Sequence, residues 1–242
     1  EIAQCLVGSE MCIRDSYFDV SINTSIGGTE TVRCVIADLD TFVLNGDTAV
    51  SKHHAVIVPK DCFKTTAKMN DTNVTTGGYV GSKMVTTTLP IYATALQTAL
   101  KNHIITHRSL LTNSVATTGN SNAGAGHVGY SNNWAWTDTL LSLMSEIQLY
   151  GSTVLSSSFF DTGERNTQFN LFRHNPAAKI AGQGHGGGRM WYWLSAVVSA
   201  SAFANCNNNG NSNNNNASAE GCVRPISCRY TCLLYTSDAA DD

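Results

Sequence analysis

The sequence predicts an α+β domain in which two helices pack on small antiparallel sheets joined by long loops. Three observations predict it. Short β-branched runs punctuated by Gly, Asn and Pro fill the first quarter of the chain. Two stretches, 88–103 and 136–150, carry apolar residues at helical spacing. The last part returns to β-prone residues on either side of a polar tract.

Taken in order, Asp19-Val20-Ser21-Ile22 alternates, Glu30 to Asp38 is β-branched, and Gly27-Gly28 between them marks a hairpin turn. Phe42-Val43-Leu44 leads into the turn Asn45-Gly46-Asp47, and Ala55 to Val58 is a buried strand ended by Pro59. Asp71 to Ser82, rich in Thr and Gly, reads as an exposed loop. The first helix is expected over Thr88–His103. Pro90 sits in its first turn, where a missing N–H costs little, and Leu89, Tyr92, Ala93, Leu96, Ala99 and Leu100 form its apolar side. The second is expected over Trp136–Tyr150, capped by Thr137 or Asp138 and stopped by Gly151, with Leu140, Leu141, Met144, Ile147 and Leu149 facing the core. Asn113 to Asn133 between them is a long loop. Gln168 to Phe172 reads as a short strand within an irregular region, and the final strands are expected at 191–198, 202–205 and 222–228.

Composition narrows the function. Only 14% of residues are charged, and no basic cluster offers an electrostatic footprint for nucleic acid. No run approaches the roughly 18 apolar residues that cross a bilayer as a helix, so membrane insertion is not expected. Between 17 and 231, 14 Lys+Arg against 12 Asp+Glu leave a net charge of +2. Of the eight cysteines, Cys34, Cys62, Cys206, Cys222 and Cys228 fall in that span, an odd, scattered set without a C-x-x-C pair. They are expected as buried thiols rather than a disulfide framework or a zinc site, with Cys206–Cys222 the alternative as a hairpin pair.

Motifs for catalysis are weak. Gly182 to Gly188 leads into an aromatic strand rather than a helix and lacks a following phosphate-binding lysine, so a flexible turn is expected. His53 and His54 are adjacent and in a strand would face opposite ways. His103 and His107 have helical i, i+4 spacing but lack the glutamate of a metalloprotease signature. Asp161, Glu164 and Arg165 are expected in a solvated turn. Neither a catalytic residue, a metal ligand nor a cofactor is assigned.

The stretch 189–229 is the most specific. Met190-Trp191-Tyr192-Trp193-Leu194-Ser195 opens it and Cys222-Val223-Arg224-Pro225-Ile226 closes it, with nine asparagines between 205 and 216. Trp191 and Trp193 share one strand face and are expected in the core, with Tyr192 on the other. Val223 and Ile226 are expected to pack, and Arg224 to make a structural polar contact rather than touch ligand. Asparagine tolerates turn conformations and offers donors and acceptors on a short side chain, which suits a polar binding surface. A disordered low-complexity tract is the competing reading.

The order W-x-W-L-S, polar hairpin, V-R-P-I resembles the C-terminal part of C-type-lectin-like ligand-binding domains, and most closely the variable proteins of diversity-generating retroelements. In layout the resemblance covers 17–230. It implies a C-type-lectin-like fold and a non-enzymatic receptor- or ligand-binding module on a phage tail tip, as in a prophage, or on a bacterial cell surface. The implied binding residues are Asn205, Asn207, Asn208, Asn209, Asn211, Asn213, Asn214, Asn215 and Asn216, with Tyr192 as an aromatic floor. The implied partner is a host cell-surface protein or glycan, and a homotrimer within a tail assembly is consistent with it. The E-P-N, Q-P-D and W-N-D segments of calcium-dependent lectins are missing, so calcium is not carried over. Two rivals are a structural domain of a virion or secreted protein with a passive Asn-rich loop, and a carbohydrate-active enzyme using Glu164 or His185. Both ends, 1–16 and 232–242, resemble translated sequencing adapters, as on a metagenome-derived fragment, which leaves 17–231 as the ligand-binding domain.

Overall fold

A computed structural model describes residues 17–48, 50–116, 131–156, 161 and 163–230. The adapter-like ends and most of the predicted loop after Asn113 lie outside the described residues. In chain order the strands are β1 (Tyr17–Thr24), β2 (Gly28–Leu39), β3 (His54–Pro59), β4 (Ile104–Ile105), β5 (His107–Val115), β6 (Ser131–Thr139), β7 (Leu141–Leu143), β8 (Ala181–Gly182), β9 (Arg189–Met190), β10 (Tyr192–Val197), β11 (Ala202–Cys206), β12 (Ser212–Asn216) and β13 (Pro225–Tyr230). The helices are α1 (Leu89–Ala99), α2 (Glu146–Tyr150) and α3 (Asn170–His174).

The architecture is mostly β, which overturns the α+β, C-type-lectin-like expectation of two packed helices. Among the described residues strands hold 42% and helices 16%, and only one helix reaches seven residues. The second predicted helix is the cause. Ser131–Thr139 pairs instead with β5, placing Trp136 opposite Leu110 and Trp134 opposite Thr112. Leu141–Leu143 pairs with Pro225–Ser227 of β13. Aromatic and β-branched residues in 131–139 favour a pleated surface, and cross-strand packing outweighs a helical spacing that rests on few leucines. Only Glu146–Tyr150 remains helical. Its cap is Ser145, not Thr137 or Asp138: the Ser145 side chain accepts from Gln148 N and the Gln148 side chain accepts from Ser145 N. Gly151, left-handed at φ 88°, ends it as expected.

The first helix is present but shifted. A π-helical turn at Met84–Thr88 precedes it, and it ends at Ala99 because Lys101 and Asn102 take positive φ. The predicted strand near Gln168 is the helix α3. The β1–β2 hairpin, the strand at Pro59, and β10, β11 and β13 stand close to where they are expected, whereas β12 forms in the polar tract where no strand is expected.

The main sheet runs β1-β2-β3-β13-β4, with β7 also on β13. It separates two cores. One holds Val32, Ile57, Phe63, Tyr92, Trp193 and Phe203 beside α1. The other holds Val56, Val58, Phe169, Phe172, Tyr192, Leu194 and Ile226 beside α2 and α3. Alternation along β10 sends Trp193 to the first core and its neighbours Tyr192 and Leu194 to the second.

Candidate functional site

β10, β11 and β12 form a three-stranded antiparallel sheet with β11 in the centre. Every residue of β11 is buried. Phe203 enters the first core, and Ala204 and Cys206 enter the second. β10 is fixed from behind as well: Trp193 N donates to Cys222 O and Ser195 N to Met144 O. Trp193 Nε1 donates to Ala67 O at 2.9 Å. Trp191 meets Trp193 edge-on at 4.8 Å, and the bare Cα of Gly221 lies under both rings; a Cβ there would come within 2.4 Å of Trp191. Trp193 is therefore in the core, as expected, while Trp191, also expected there, is half-buried against it.

Among the described residues β12 pairs only with β11, so it is an edge of this sheet. Asn207 N donates to Asn211 O and Ala217 N to Ser201 O, each at 2.8 Å. Antiparallel alternation between these ends turns the main-chain groups of Asn213 and Asn215 toward β11 and those of Ser212, Asn214 and Asn216 outward. Part of that outward row is already used. Asn213 Oδ1 accepts from Asn214 N at 2.9 Å, and Asn216 O accepts from Ala219 N at 2.8 Å. Asparagine thus blunts the edge against pairing with other strands without a charge or proline.

The register sorts the asparagines. Asn208, Asn209, Asn211, Asn213, Asn214 and Asn216 are exposed, while Asn207 and Asn215 are half-buried. The exposed set lies at the tip and on both faces of β12, because Asn213 stands opposite Asn205, whereas Asn214 and Asn216 stand opposite Ala204 and Ala202. Asn207 shapes the tip: its Oδ1 accepts from Asn209 N and Asn211 N, and Gly210 follows with φ 86°. The tip rests on Lys179 and Ile180, near which a Cβ at Gly210 would lie at about van der Waals distance.

Two expected binding residues are misplaced by the sequence reading. Asn205 is 1% exposed, and both polar atoms of its amide lack partners. It sits on the central strand, between Trp193 and Asn213. Tyr192 is fully buried and donates to Lys179 O at 2.8 Å; burial holds its hydroxyl well above the usual range. It is a strut beneath the tip, not a floor of the exposed surface.

Glu146 was not anticipated. It is 1% exposed, and its carboxylate accepts from Val154 N, Leu155 N, Ser156 N, Ser156 Oγ and, at 3.0 Å, Ser212 Oγ. One carboxylate thereby ties the outer strand to α2 and the loop after it. The only sequence signal is a glutamate in the first turn of a Ser-capped helix.

The residues named for the catalytic alternatives lie apart from the hairpin. Glu164 is pushed up to about 7 by burial, and its Oε2 has no partner. His185 lies 4.0 Å from Asp61, in the turn where Asp61 collects Gly182 N and Gly186 N. His107 is fully buried in strand β5, donating to or accepting from Ser142 Oγ at 3.0 Å, so it shares no helix face with His103. Among the described residues no group of three His, Cys, Asp or Glu could hold a metal. The five described cysteines are free and buried. The thiol pair is Cys62–Cys222 rather than Cys206–Cys222: burial raises Cys62, and its hydrogen bond lowers Cys222.

Comparison of the chain with protein-family models, with curated proteins and with solved structures finds no match.

Proposed function

We propose that the domain is a non-enzymatic receptor- or ligand-binding module that presents the Asn-rich hairpin as its recognition surface. One observation carries this reading: six asparagines are exposed on the tip and outer strand of a hairpin whose inner strand is wholly buried. That arrangement divides labour. The inner strand fixes position, and side chains on the outer strand are free to change. Residues 207–219 carry no charged group, so contacts rest on hydrogen bonds, each worth about 0.5–1.5 kcal/mol net.

The resemblance of 189–229 to variable proteins of diversity-generating retroelements belongs to the same proposal, and rests on that segment rather than on a two-helix architecture. It supports a module sited on a virion tail or a bacterial surface, with a host cell-surface protein or glycan as partner. Several copies, as in a homotrimeric tail tip, would raise modest affinity by about 10²–10⁴-fold through avidity. No helix among the described residues is long and apolar enough to cross a membrane.

The test replaces Asn208, Asn209, Asn211, Asn213, Asn214 and Asn216 by Ala together and measures adhesion to host cells alongside the unfolding midpoint. The reading expects adhesion to disappear with the midpoint nearly unchanged. Undiminished adhesion would leave the hairpin passive. In the source DNA, a second copy of the segment differing at adenines beside a reverse transcriptase gene is expected.

A further inference from the structure

A cavity of about 440 Å³ opens beside the segment that supports the hairpin tip, between β2, the residues after β3, and the stretch 171–180. Its cationic groups are Arg33, Lys60 and Arg224. Arg33 is already committed, forming a two-pronged pair with Asp19 at 2.8 and 2.9 Å. Neither of the other two pairs with a carboxylate among the described residues.

Arg224 is 1% exposed yet lines the cavity. Its Nε donates to Pro59 O at 2.8 Å, and its Nη1 to Ala178 O at 3.0 Å and Tyr192 Oη at 3.2 Å. Its Nη2 donates to no protein atom among the described residues. No carboxylate pairs with it either. The rings of Tyr192 and Phe172, 5.2 and 5.6 Å from the guanidinium carbon, are its nearest compensation. A buried cation without an anion is costly, and an incoming anion recovers that cost. Asp61, the one carboxylate in the lining, is occupied: its Oδ1 accepts from Gly182 N at 2.9 Å and its Oδ2 from Gly186 N at 3.2 Å. Lys60 is exposed, with an ammonium that makes no ion pair among the described residues. The remaining wall is mostly aliphatic, from Val35, Leu171, Ala177, Ala178 and Ile180, with Tyr17 and Asn175 beside them.

We propose that this cavity binds a small amphiphilic carboxylate, its head group on Arg224 Nη2 and Lys60 Nζ and its apolar body against the aliphatic wall. A guanidinium fork matches a planar carboxylate, and an aliphatic lining favours an organic anion over an inorganic one. The site is separate from the hairpin surface and does not depend on that surface's role. It is nevertheless mechanically connected to it. Arg224 holds Ala178 O and Tyr192 Oη, Tyr192 holds Lys179 O, and the tip rests on Lys179 and Ile180.

The experiment titrates the purified domain with sodium hexanoate, hexan-1-ol and inorganic phosphate, following the unfolding midpoint and amide chemical shifts. Hexanoate is expected to raise the midpoint in a saturable way and to shift amides at 171–180 and 224. Hexanol and phosphate at equal concentration are expected to do neither. Lys60→Ala, an exposed change that leaves the fold intact, is expected to weaken hexanoate binding about tenfold. Arg224→Lys keeps the buried charge but removes the fork, and is expected to weaken it at least as much. An equal response to phosphate, a response unaltered by Lys60→Ala, or no saturable response to hexanoate would each overturn the proposal.

Discussion

Asn205 and Asn213 face each other across one hairpin, carry the same side chain, and have opposite fates. Asn205 lies on β11, 1% exposed with its amide unpartnered, whereas Asn213 lies on β12 in water and caps the next residue's N–H. What separates them is strand position, because β11 is covered on both faces and flanked on both edges while β12 is flanked on one. Residue type alone therefore does not define this surface; distance from the sheet centre does.

The contrast can be broken most sharply from the inner strand. Phe203 is fully buried and stands opposite Asn215. Phe203→Ala is expected to cost about 3–5 kcal/mol of folding free energy in denaturant titration. A cost near zero would mean that the inner strand is not the fixed one.

Acid separates frame from surface next. Burial lowers His107 to about 3, below its ordinary value of 6.5. The unfolded chain therefore binds a proton that the folded chain refuses. Its contribution to stability is complete above about pH 6.5 and is lost as pH falls toward 3. Glu164, raised by burial to about 7, acts in the reverse sense: its contribution is lost as pH rises from its ordinary 4.5 to about 7. Glu164→Gln should accordingly steepen the acid loss, read as unfolding midpoint against pH. Ser212–Asn216 has no titratable side chain. Hairpin-mediated adhesion should therefore stay flat over the pH range in which the frame remains folded.

A smaller effect is expected at Asn205, where Asn205→Leu removes a buried amide lacking partners at similar volume. It should leave stability unchanged or raise it by about 1 kcal/mol. A loss above 2 kcal/mol would show that the amide is satisfied. The smallest effects belong to the outer strand: Asn213→Ser, Asn214→Ser and Asn216→Ser should each stay within about 0.5 kcal/mol of the parent.

Local chemistry with one interpretation was readable from residues alone. Gly27-Gly28, Pro59, Gly151 and the packed pair Trp191 and Trp193 each have a steric or covalent reason to be where they are. The segment 131–143 was not readable, because short apolar runs satisfy helical spacing and strand pairing alike, and the deciding partners, β5 and β13, lie far away in sequence. The same limit hid Glu146, whose partners at 154–156 and 212 meet only in the folded chain. It also misassigned Tyr192 and Asn205. Alternation gives the face of a strand but not whether that face meets solvent, and here both faces of β10 and β11 are covered.

The most direct test varies 202–216 one position at a time through all residues in a surface-display library, scoring folded display and host-cell binding separately. The account predicts that Phe203, Ala204 and Cys206 tolerate few replacements for display. Positions 208, 209, 211, 213, 214 and 216 should tolerate nearly all of them, with binding altered there. Equal intolerance on both strands, or binding indifferent to every outer-strand change, would contradict it.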